Sequence, residues 1–270
     1  MPPVSLTTSI LATGRVGSHL TGHRGMLKAI TQAGRQGALI VDAGGYFGDT
    51  SYYRLGRGEV EQLILEQLYD VLLPAGLGFA HYLTNRALFA KSVCTNLTRP
   101  DGRSLFPPSV RVRISGIDTV VLGVIGRREF AAIPAAEREG VVWHRPAQVI
   151  ETHARRAHGQ GHTEVIVLGY CGAESFADIV RACRSRVGAF VAAEADPVPS
   201  TANLDGLTVV SVPADGVGCG RLQPVHVRGG WRVSIEQFPS NIRGRTSAPL
   251  QDLHSQIQTM TEILATGVAP

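Results

Sequence analysis

The feature of the sequence that most constrains its fold is a set of short apolar segments that end near glycine and alternate with amphipathic segments. The strongest apolar segments are 38–41, 119–125 and 164–168. Short apolar runs are typical of buried strands, whereas segments 59–73 and 145–158 carry apolar residues at helical spacing. The alternation predicts an α/β protein in which helices cover the sheets.

The second half of the chain is richer in predicted strands. Segments 189–192 and 207–212 have the character of strands, and segments 224–227 and 231–235 form a predicted hairpin across a Gly-Gly pair. The first half is therefore expected to supply most of the helices.

The character of the sequence changes at Pro239. A polar loop runs to Arg245, and apolar residues then mark one face of a predicted helix over 248–265. We therefore predict a main domain over residues 1–238, followed by a loop and a C-terminal helix over residues 239–270. This helix either packs on its own domain or forms a homodimer with a second copy.

Composition limits the class of protein and its location. Of the 270 residues, 44% are hydrophobic and 18% are charged, which excludes a disordered or fibrous chain. No run of eighteen apolar residues occurs, and residues 1–6 lack the order of a secretory signal. We expect a soluble, cytoplasmic protein with no membrane partner. The four cysteines form no CxxC pair, so neither a zinc knuckle nor a disulfide framework is indicated.

The charge pattern argues against a nucleic-acid partner. The net charge is +4 and the pI is near 9.1, but the basic residues are interspersed with acidic ones and have no aromatic residues between them. We interpret them as a solvated, arginine-rich face. Lysine occurs only at Lys28 and Lys91, while Ala, Gly, Arg and Val abound, which suggests a bacterial genome rich in GC.

The ends of the predicted strands are where a site is expected. Glycine after a buried strand lets the backbone turn sharply or approach a ligand. The hydrolase GxSxG pattern, the Walker GxxxxGK pattern and a GxGxxG pattern after the first strand do not occur. The strand ends therefore predict a site without identifying its chemistry.

Five longer segments share their order and character with a known enzyme family. They are GHRGMLKAITQAGRQGALIVDAGGYFGDT, EVEQLILEQLYDVLLPAGLGF, SVCTNLTRPDGRSLFPPSVRVRISGIDTVVLGVIG, HTEVIVLGYCG and VGAFVAAEAD. In this order they resemble elements of the catalytic domain of the 5′-nucleotidase branch of the calcineurin-like metallophosphoesterases, namely DAGD, GNHEF, the segment that ends in GVIG, LSHxG and GHSH. The resemblance covers about residues 6–235. It implies a four-layer α/β/β/α sandwich of two mixed sheets.

The same resemblance implies that the two-metal site of the family is missing here. The family holds its ions with a D-x-H pair, the last Asp of DAGD, the Asn of GNH and three later histidines. The corresponding residues of this chain are Arg15 and Gly17, then Gly45, the triplet 75–77, Tyr170, and Glu194 with Asp196. Arginine, glycine and leucine cannot ligate a cation. The comparison therefore predicts no metal and no cofactor.

The side chains expected around the former metal cleft form the predicted site. The predicted catalytic residues are Cys171, His81, Glu194 and Asp196, and the predicted substrate-binding residues are Arg15, His19, Tyr46, Phe79 and Tyr170. The two aromatic residues Tyr46 and Phe79 either stack on a flat ligand or fill the space left by absent metals.

The other candidates also have a second interpretation. Cys171 is either a nucleophile activated by a helix N-terminus or a buried structural cysteine. His81 is either an acid–base group or a surface histidine. Glu194 and Asp196 either hold one hard ion or form a salt-bridging or hydrogen-bonding pair, and Arg15 is a candidate partner for one of these carboxylates.

The function predicted from this site is a repurposed, metal-independent enzyme that acts on a small molecule in bacterial secondary metabolism. The alternative, from a different class, is a pseudoenzyme that serves as a binding or assembly partner. A residual phosphoester hydrolase is the weakest alternative, because the residues that hold the metals in the family are replaced. The fold alone does not decide among these functions.

Overall fold

The computed structural model describes residues 7–20, 24–162, 164–184, 186–193, 200–204, 206–225 and 230–238, together with Ser255 and Thr259. The strands are β1 (Ser9–Thr13), β2 (Ala38–Asp42), β3 (Val71–Leu72), β4 (Leu97–Thr98), β5 (Val110–Ile114), β6 (Ile117–Ile125), β7 (Val142–Trp143), β8 (Glu164–Tyr170), β9 (Ala189–Ala193), β10 (Ser200–Leu204), β11 (Leu207–Ser211), β12 (Gly218–Pro224) and β13 (Trp231–Gln237). The helices are α1 (Arg24–Arg35), α2 (Ser51–Gly56), α3 (Glu59–Leu68), α4 (Phe79–Thr84), α5 (Arg86–Lys91), α6 (Arg127–Ala131), α7 (Pro146–Gly159) and α8 (Ala173–Cys183).

The longer strands form two mixed sheets. Sheet 1 has the order β13-β12-β1-β2-β3, in which β1, β2 and β3 are parallel and β12 is antiparallel to both of its neighbours. Sheet 2 has the order β10-β11-β9-β8-β6-β5, with a parallel centre and an antiparallel strand at each edge. Strands β4 and β7 form a small separate pair.

The alternation of side chains along sheet 2 explains how the two sheets stack. Successive residues of a strand point to opposite faces. One face contributes to the core shared with sheet 1, through Val121, Ile166, Leu168 and Val191. The other face forms a second core with α7 and α8, through Val120, Val165, Val167 and Phe190. Strands that are apolar on both faces are therefore covered on both sides, as parallel sheets require.

The predicted four-layer sandwich is confirmed. Helix α1 packs on β2 and α3 packs on α1, and the apolar residues of both helices belong to the same cluster as those of sheet 1. Helices α7 and α8 cover sheet 2. The predicted helix over 248–265 lies outside the described residues, apart from Ser255 and Thr259, and stays a prediction. The division at residue 238 also stays a prediction. Of the helices described, none is both long and apolar enough to span a membrane.

Two boundaries differ from those that the sequence predicted. Helix α3 ends at Leu68 because Tyr69 is extended, and the following Val71–Leu72 pairs with β2 instead of continuing the helix to residue 73. A hairpin is present as β12 and β13, but its first strand is Gly218–Pro224 and not 224–227, of which residues 226 and 227 lie outside the described residues. Strand β12 pairs with β13 along its whole length and with β1 from Gly220 to Leu222. In both cases pairing with a distant strand overrides the local pattern.

Candidate functional site

The candidate site lies where the ends of strands from both sheets meet. Arg15 follows β1, Gly44 and Gly45 follow β2, and Gly76 follows β3, all at the carboxyl end of sheet 1. Tyr170 is the last residue of β8 in sheet 2 and contacts these loops. The carboxyl ends of parallel strands are the usual place for a site in an α/β protein.

The ring of Tyr170 packs directly on three glycines of sheet 1. A Cβ atom added at Gly45 would lie 2.6 Å from Cε2 of Tyr170, and one added at Gly44 would lie 3.0 Å from its Cβ. A Cβ added at Gly76 would lie 3.4 Å from the tyrosine hydroxyl. All three glycines also have a positive φ. The aromatic ring therefore occupies space that any side chain at Gly45 would need.

Arg15 covers the other side of this tyrosine. Its guanidinium carbon lies 4.6 Å from the centroid of the Tyr170 ring, which is a cation–π distance. The backbone of Arg15 has a positive φ of 48° and is held by two hydrogen bonds. The Arg15 N–H donates to the Gly44 carbonyl, and the Arg15 carbonyl accepts from the Asp215 N–H, each at 2.7 Å. Burial raises the pKa of Tyr170, and the Arg15 charge opposes that rise.

A buried carboxyl group lies beneath these loops. Asp42, at the end of β2, is fully buried and accepts hydrogen bonds from the Gly44 N–H at 3.0 Å and the Thr13 hydroxyl at 3.3 Å. The Thr13 hydroxyl is also 3.0 Å from the hydroxyl of Tyr69. Burial raises the pKa of Asp42 to about 7, although both hydrogen bonds oppose the rise. Asp42 is therefore a group that titrates near neutral pH inside the protein.

The two predicted histidines lie in different environments. His19 is exposed, and its Nε2 lies 3.7 Å from the carboxylate of Asp215. His81 is half-buried, its Nε2 lies 3.0 Å from the Tyr53 hydroxyl, and its ring stacks at 4.9 Å on Phe47. Burial lowers the pKa of His81, with an opposing effect from Glu137. The imidazole of His81 is therefore mostly neutral at pH 7.

Three of the predicted residues are fully buried. The Tyr46 ring makes an edge contact with Tyr69 at 5.5 Å, and the Phe79 ring packs on Phe106 at 5.7 Å. Cys171 follows Tyr170 and is also buried. Their rings and thiol therefore contribute to the core, and none of them presents a surface to an incoming ligand in this conformation. Glu194 and Asp196 lie outside the described residues.

Sequence reasoning missed two buried acidic residues near the site. Asp42 lies in the segment DAGG, and its position at the end of a predicted buried strand could have identified it as a site residue. Glu129 in α6 is 6% exposed. One of its carboxyl oxygens lies 2.3 Å from the position of a Cβ atom added at Gly126, and the other lies 2.8 Å from that of a Cβ atom added at Gly172. No local pattern marks Glu129, because the start of α8 at Gly172, which is distant in sequence, forms part of its surroundings.

The described residues at the positions that the family resemblance assigns to metal ligands do not supply the donors of a two-metal centre, while Glu194 and Asp196 lie outside the described residues. Among the described residues, no group of three or more His, Cys, Asp or Glu side chains is placed to hold a metal ion. At the positions that the family resemblance assigns to metal ligands, the described residues are an arginine, glycines and a tyrosine whose ring packs on those glycines. Neither a guanidinium group nor a glycine can ligate a divalent cation.

No protein-family model matches the sequence, and no curated protein matches it. The structure, in contrast, has clear neighbours. Sulfate thiohydrolase SoxB from Thermus thermophilus aligns over 100% of this chain and 63% of its own length, with a TM-score of 0.78 and 14% identity. A putative 5′-nucleotidase from Staphylococcus aureus aligns over 93% of this chain and 58% of its own, with a TM-score of 0.73 and 13% identity.

A third neighbour is the calcineurin-like phosphoesterase YfkN from Bacillus subtilis, which aligns over 94% of this chain and 98% of its own with a TM-score of 0.65 and 14% identity. The chain spans about three fifths of the SoxB and nucleotidase chains. At these identities the similarity establishes the fold alone. The chain thus has the fold of the calcineurin-like metallophosphoesterases.

Proposed function

We propose that this metallophosphoesterase-fold chain does not hydrolyse phosphoesters and acts as a binding or assembly partner, that is, as a pseudoenzyme. The packing of Tyr170 on Gly44, Gly45 and Gly76 carries this proposal. A two-metal phosphoesterase needs an open cleft in which ions polarise the phosphate and activate a water molecule. In this chain an aromatic ring packs on glycines at positions that the family resemblance assigns to metal ligands, and the guanidinium group of Arg15 covers the ring.

The arrangement of Arg15 supports the same conclusion. The guanidinium group supplies a positive charge near the place where the family carries cations, and it does so without an exchangeable ligand position. A metal ion activates water through such an open position, whereas an arginine cannot. Arg15 therefore supplies a positive charge at this place but cannot activate a water molecule.

The proposal is tested by an activity assay together with a metal analysis. Protein purified without added metal or an affinity tag is analysed by elemental mass spectrometry and assayed with p-nitrophenyl phosphate, bis(p-nitrophenyl) phosphate and AMP in Mn²⁺, Mg²⁺ or Zn²⁺. We expect substoichiometric metal and no turnover above buffer. Stoichiometric metal with turnover would overturn the proposal and restore the residual phosphoesterase.

The second candidate is a metal-independent enzyme that acts on a small molecule, and the pair formed by His81 and Tyr53 favours it. A half-buried, mostly neutral imidazole within hydrogen-bond distance of a phenol can accept a proton and return it. Cys171, Glu194 and Asp196 stay candidates for the same chemistry. A role in bacterial secondary metabolism also stays a prediction from composition.

A substrate screen in the presence of EDTA distinguishes this candidate. Metabolite mixtures are incubated with the wild type, with His81→Asn, and with His158→Asn as a control on the exposed side of α7. An enzyme predicts turnover that His81→Asn abolishes and His158→Asn retains. If no metabolite is consumed by the wild type, the pseudoenzyme remains the better account.

A further inference from the structure

A second candidate site lies on the outer, helical side of sheet 2. A cavity of about 310 Å³ opens between the residues that follow β6 and the first turns of α7 and α8. Its polar lining consists of Arg127, Arg145, Ser175 and Asp178. Its volume lies at the lower end of the range found for small-molecule sites. The candidate site around Arg15, Gly45 and Tyr170 contributes no residue to this lining.

The charges that line this cavity leave an excess of positive charge. The single acidic side chain of the lining, Asp178, is bound on both oxygens, by Arg145 at 2.5 Å and by Arg181 at 3.0 Å. Arg127 is exposed and makes no ion pair with any residue that the structure describes. One guanidinium group that is free to form two parallel hydrogen bonds therefore faces the cavity, and such a fork matches an oxyanion.

Two helices add to this positive potential. Helix α7 has 14 residues and α8 has 11, and both begin at the cavity. Neither helix has a side chain that caps its first turn. The positive ends of two helix dipoles therefore lie beside the two arginines and favour an anion. Their contributions differ, because Pro146 at the start of α7 has no N–H and the Glu129 carboxylate lies close to Gly172 at the start of α8.

The remaining wall of the cavity is apolar. Trp143, Pro146 and Ile179 line it, and the indole N–H of Trp143 already donates to the Ile125 carbonyl at 2.9 Å. With its N–H bonded inside the protein, the indole can offer a ligand only its ring. A ring of this kind packs well against a flat apolar group.

We propose that this cavity binds a small oxyanion that carries a flat apolar group, with Arg127 and Arg145 on the oxyanion and Trp143 against the ring. Both a carboxylate and a phosphonate have the required head group. The site uses other residues than the proposed pseudoenzyme site, so either proposal can fail without the other.

The test uses the two tryptophans of the chain, Trp143 and Trp231, as local reporters. Their indole N–H signals are followed by NMR during titration of the wild type with phenylphosphonate, benzoate, inorganic phosphate and benzyl alcohol. The variant Trp143→Phe assigns the signals, and Trp231→Phe does so if the first variant does not fold. We expect phenylphosphonate or benzoate to shift the Trp143 signal saturably while Trp231 stays unchanged. Whichever acid binds identifies the head group.

Matched arginine variants show whether binding uses the proposed groups. We expect Arg127→Gln to lower the affinity for the acid by about tenfold, because the variant loses a pair of charge-assisted hydrogen bonds. Arg128→Gln changes the next residue, which is equally exposed and does not line the cavity, and should bind within about twofold of the wild type.

Three results would overturn the proposal. The first is that neither acid shifts the Trp143 signal. The second is that benzyl alcohol binds as well as the acids, which would mean that the cavity selects only the ring. The third is that Arg127→Gln and Arg128→Gln weaken binding equally, which would mean that net charge rather than this site attracts the acid.

Discussion

At the scale of single residues, the three glycines beneath Tyr170 are as informative as the tyrosine itself. A positive φ alone favours glycine, because an L side chain there costs about 1 kcal/mol or more. Gly45 adds a second requirement, because a Cβ atom would overlap the tyrosine ring. The ring and the glycine therefore depend on each other, and this dependence can be measured.

We predict that Gly45→Ala destabilises the protein more than Gly102→Ala does. Gly102 has a similar positive φ, but a Cβ atom there would meet nothing within 4 Å. The extra loss for Gly45→Ala should be about 1–3 kcal/mol, the usual cost of overpacking. Urea denaturation gives both values. In a Tyr170→Ala background the two costs should become equal, and a difference that persists would show that Tyr170 is not the clashing group.

We also predict an unusual pH dependence from Asp42. Its pKa is near 3.8 in the unfolded chain and about 7 in the folded one, so the folded state binds more protons between these values. The free energy of unfolding should therefore fall as the pH rises from about 4 to about 7. Asp42→Asn keeps an acceptor but does not titrate, so the variant should lose this fall.

Denaturation at about pH 5 and about pH 8 checks this prediction, with the exposed Asp101→Asn as the control. The Asp42→Asn variant should gain stability relative to the wild type at the higher pH, whereas Asp101→Asn should follow the wild type. An equal effect of Asp42→Asn at both pH values would contradict a raised pKa.

At the scale of secondary-structure elements, α3 shows how a helix can bury an acidic residue. Its buried positions are Val60, Glu61, Ile64 and Leu65, which lie on one face. Both carboxyl oxygens of Glu61 are buried without a hydrogen-bond partner among the described residues. Burial raises the pKa of Glu61. The nearby Ser18 hydroxyl opposes that rise, although it does not reach either carboxyl oxygen with the geometry of a hydrogen bond. A buried carboxyl group with so little support is a net cost to stability.

We predict that Glu61→Met stabilises the protein by about 1–2 kcal/mol at pH 8, because it removes buried polar atoms and keeps a similar volume. Gln67→Met, at an exposed position of the same helix, should change stability by less than about 0.5 kcal/mol. Thermal or urea unfolding measures both. A loss of stability in Glu61→Met would mean that the carboxyl group holds the Ser18 loop in place.

At the scale of the whole molecule, the apolar residues of the predicted C-terminal helix lead to the fourth prediction. Leu253, Ile257 and Met260 share one face at helical spacing, and we expect this face to form a homodimer. Changing all three to serine should convert the dimer to a monomer in sedimentation velocity. Gln256→Ser, between them in sequence, should leave the size unchanged. A wild type that already sediments as a monomer would remove the homodimer proposal.

The sequence by itself determined the fold class of this protein. Short apolar runs specify strands covered on both faces, which predicts an α/β protein with helices over the sheets, and the family resemblance adds that there are two stacked sheets. It also identified the loops in which Gly45 and Tyr170 lie, since those loops follow predicted buried strands. The loop of Arg15 was assigned only through the family resemblance, because β1 was not predicted. These properties depend on the local period of hydrophobic residues, which is visible along the chain.

Only the tertiary structure decided what those loops do together. Whether Tyr46 and Phe79 face a ligand or the core depends on neighbours such as Tyr69 and Phe106, and no local pattern reveals them. Likewise, the stacking of Arg15 on Tyr170 joins residues of two different sheets. The burial of a side chain, its pKa and the shape of a cavity all depend on the atoms that are close in space. Residues distant in sequence supply most of those atoms.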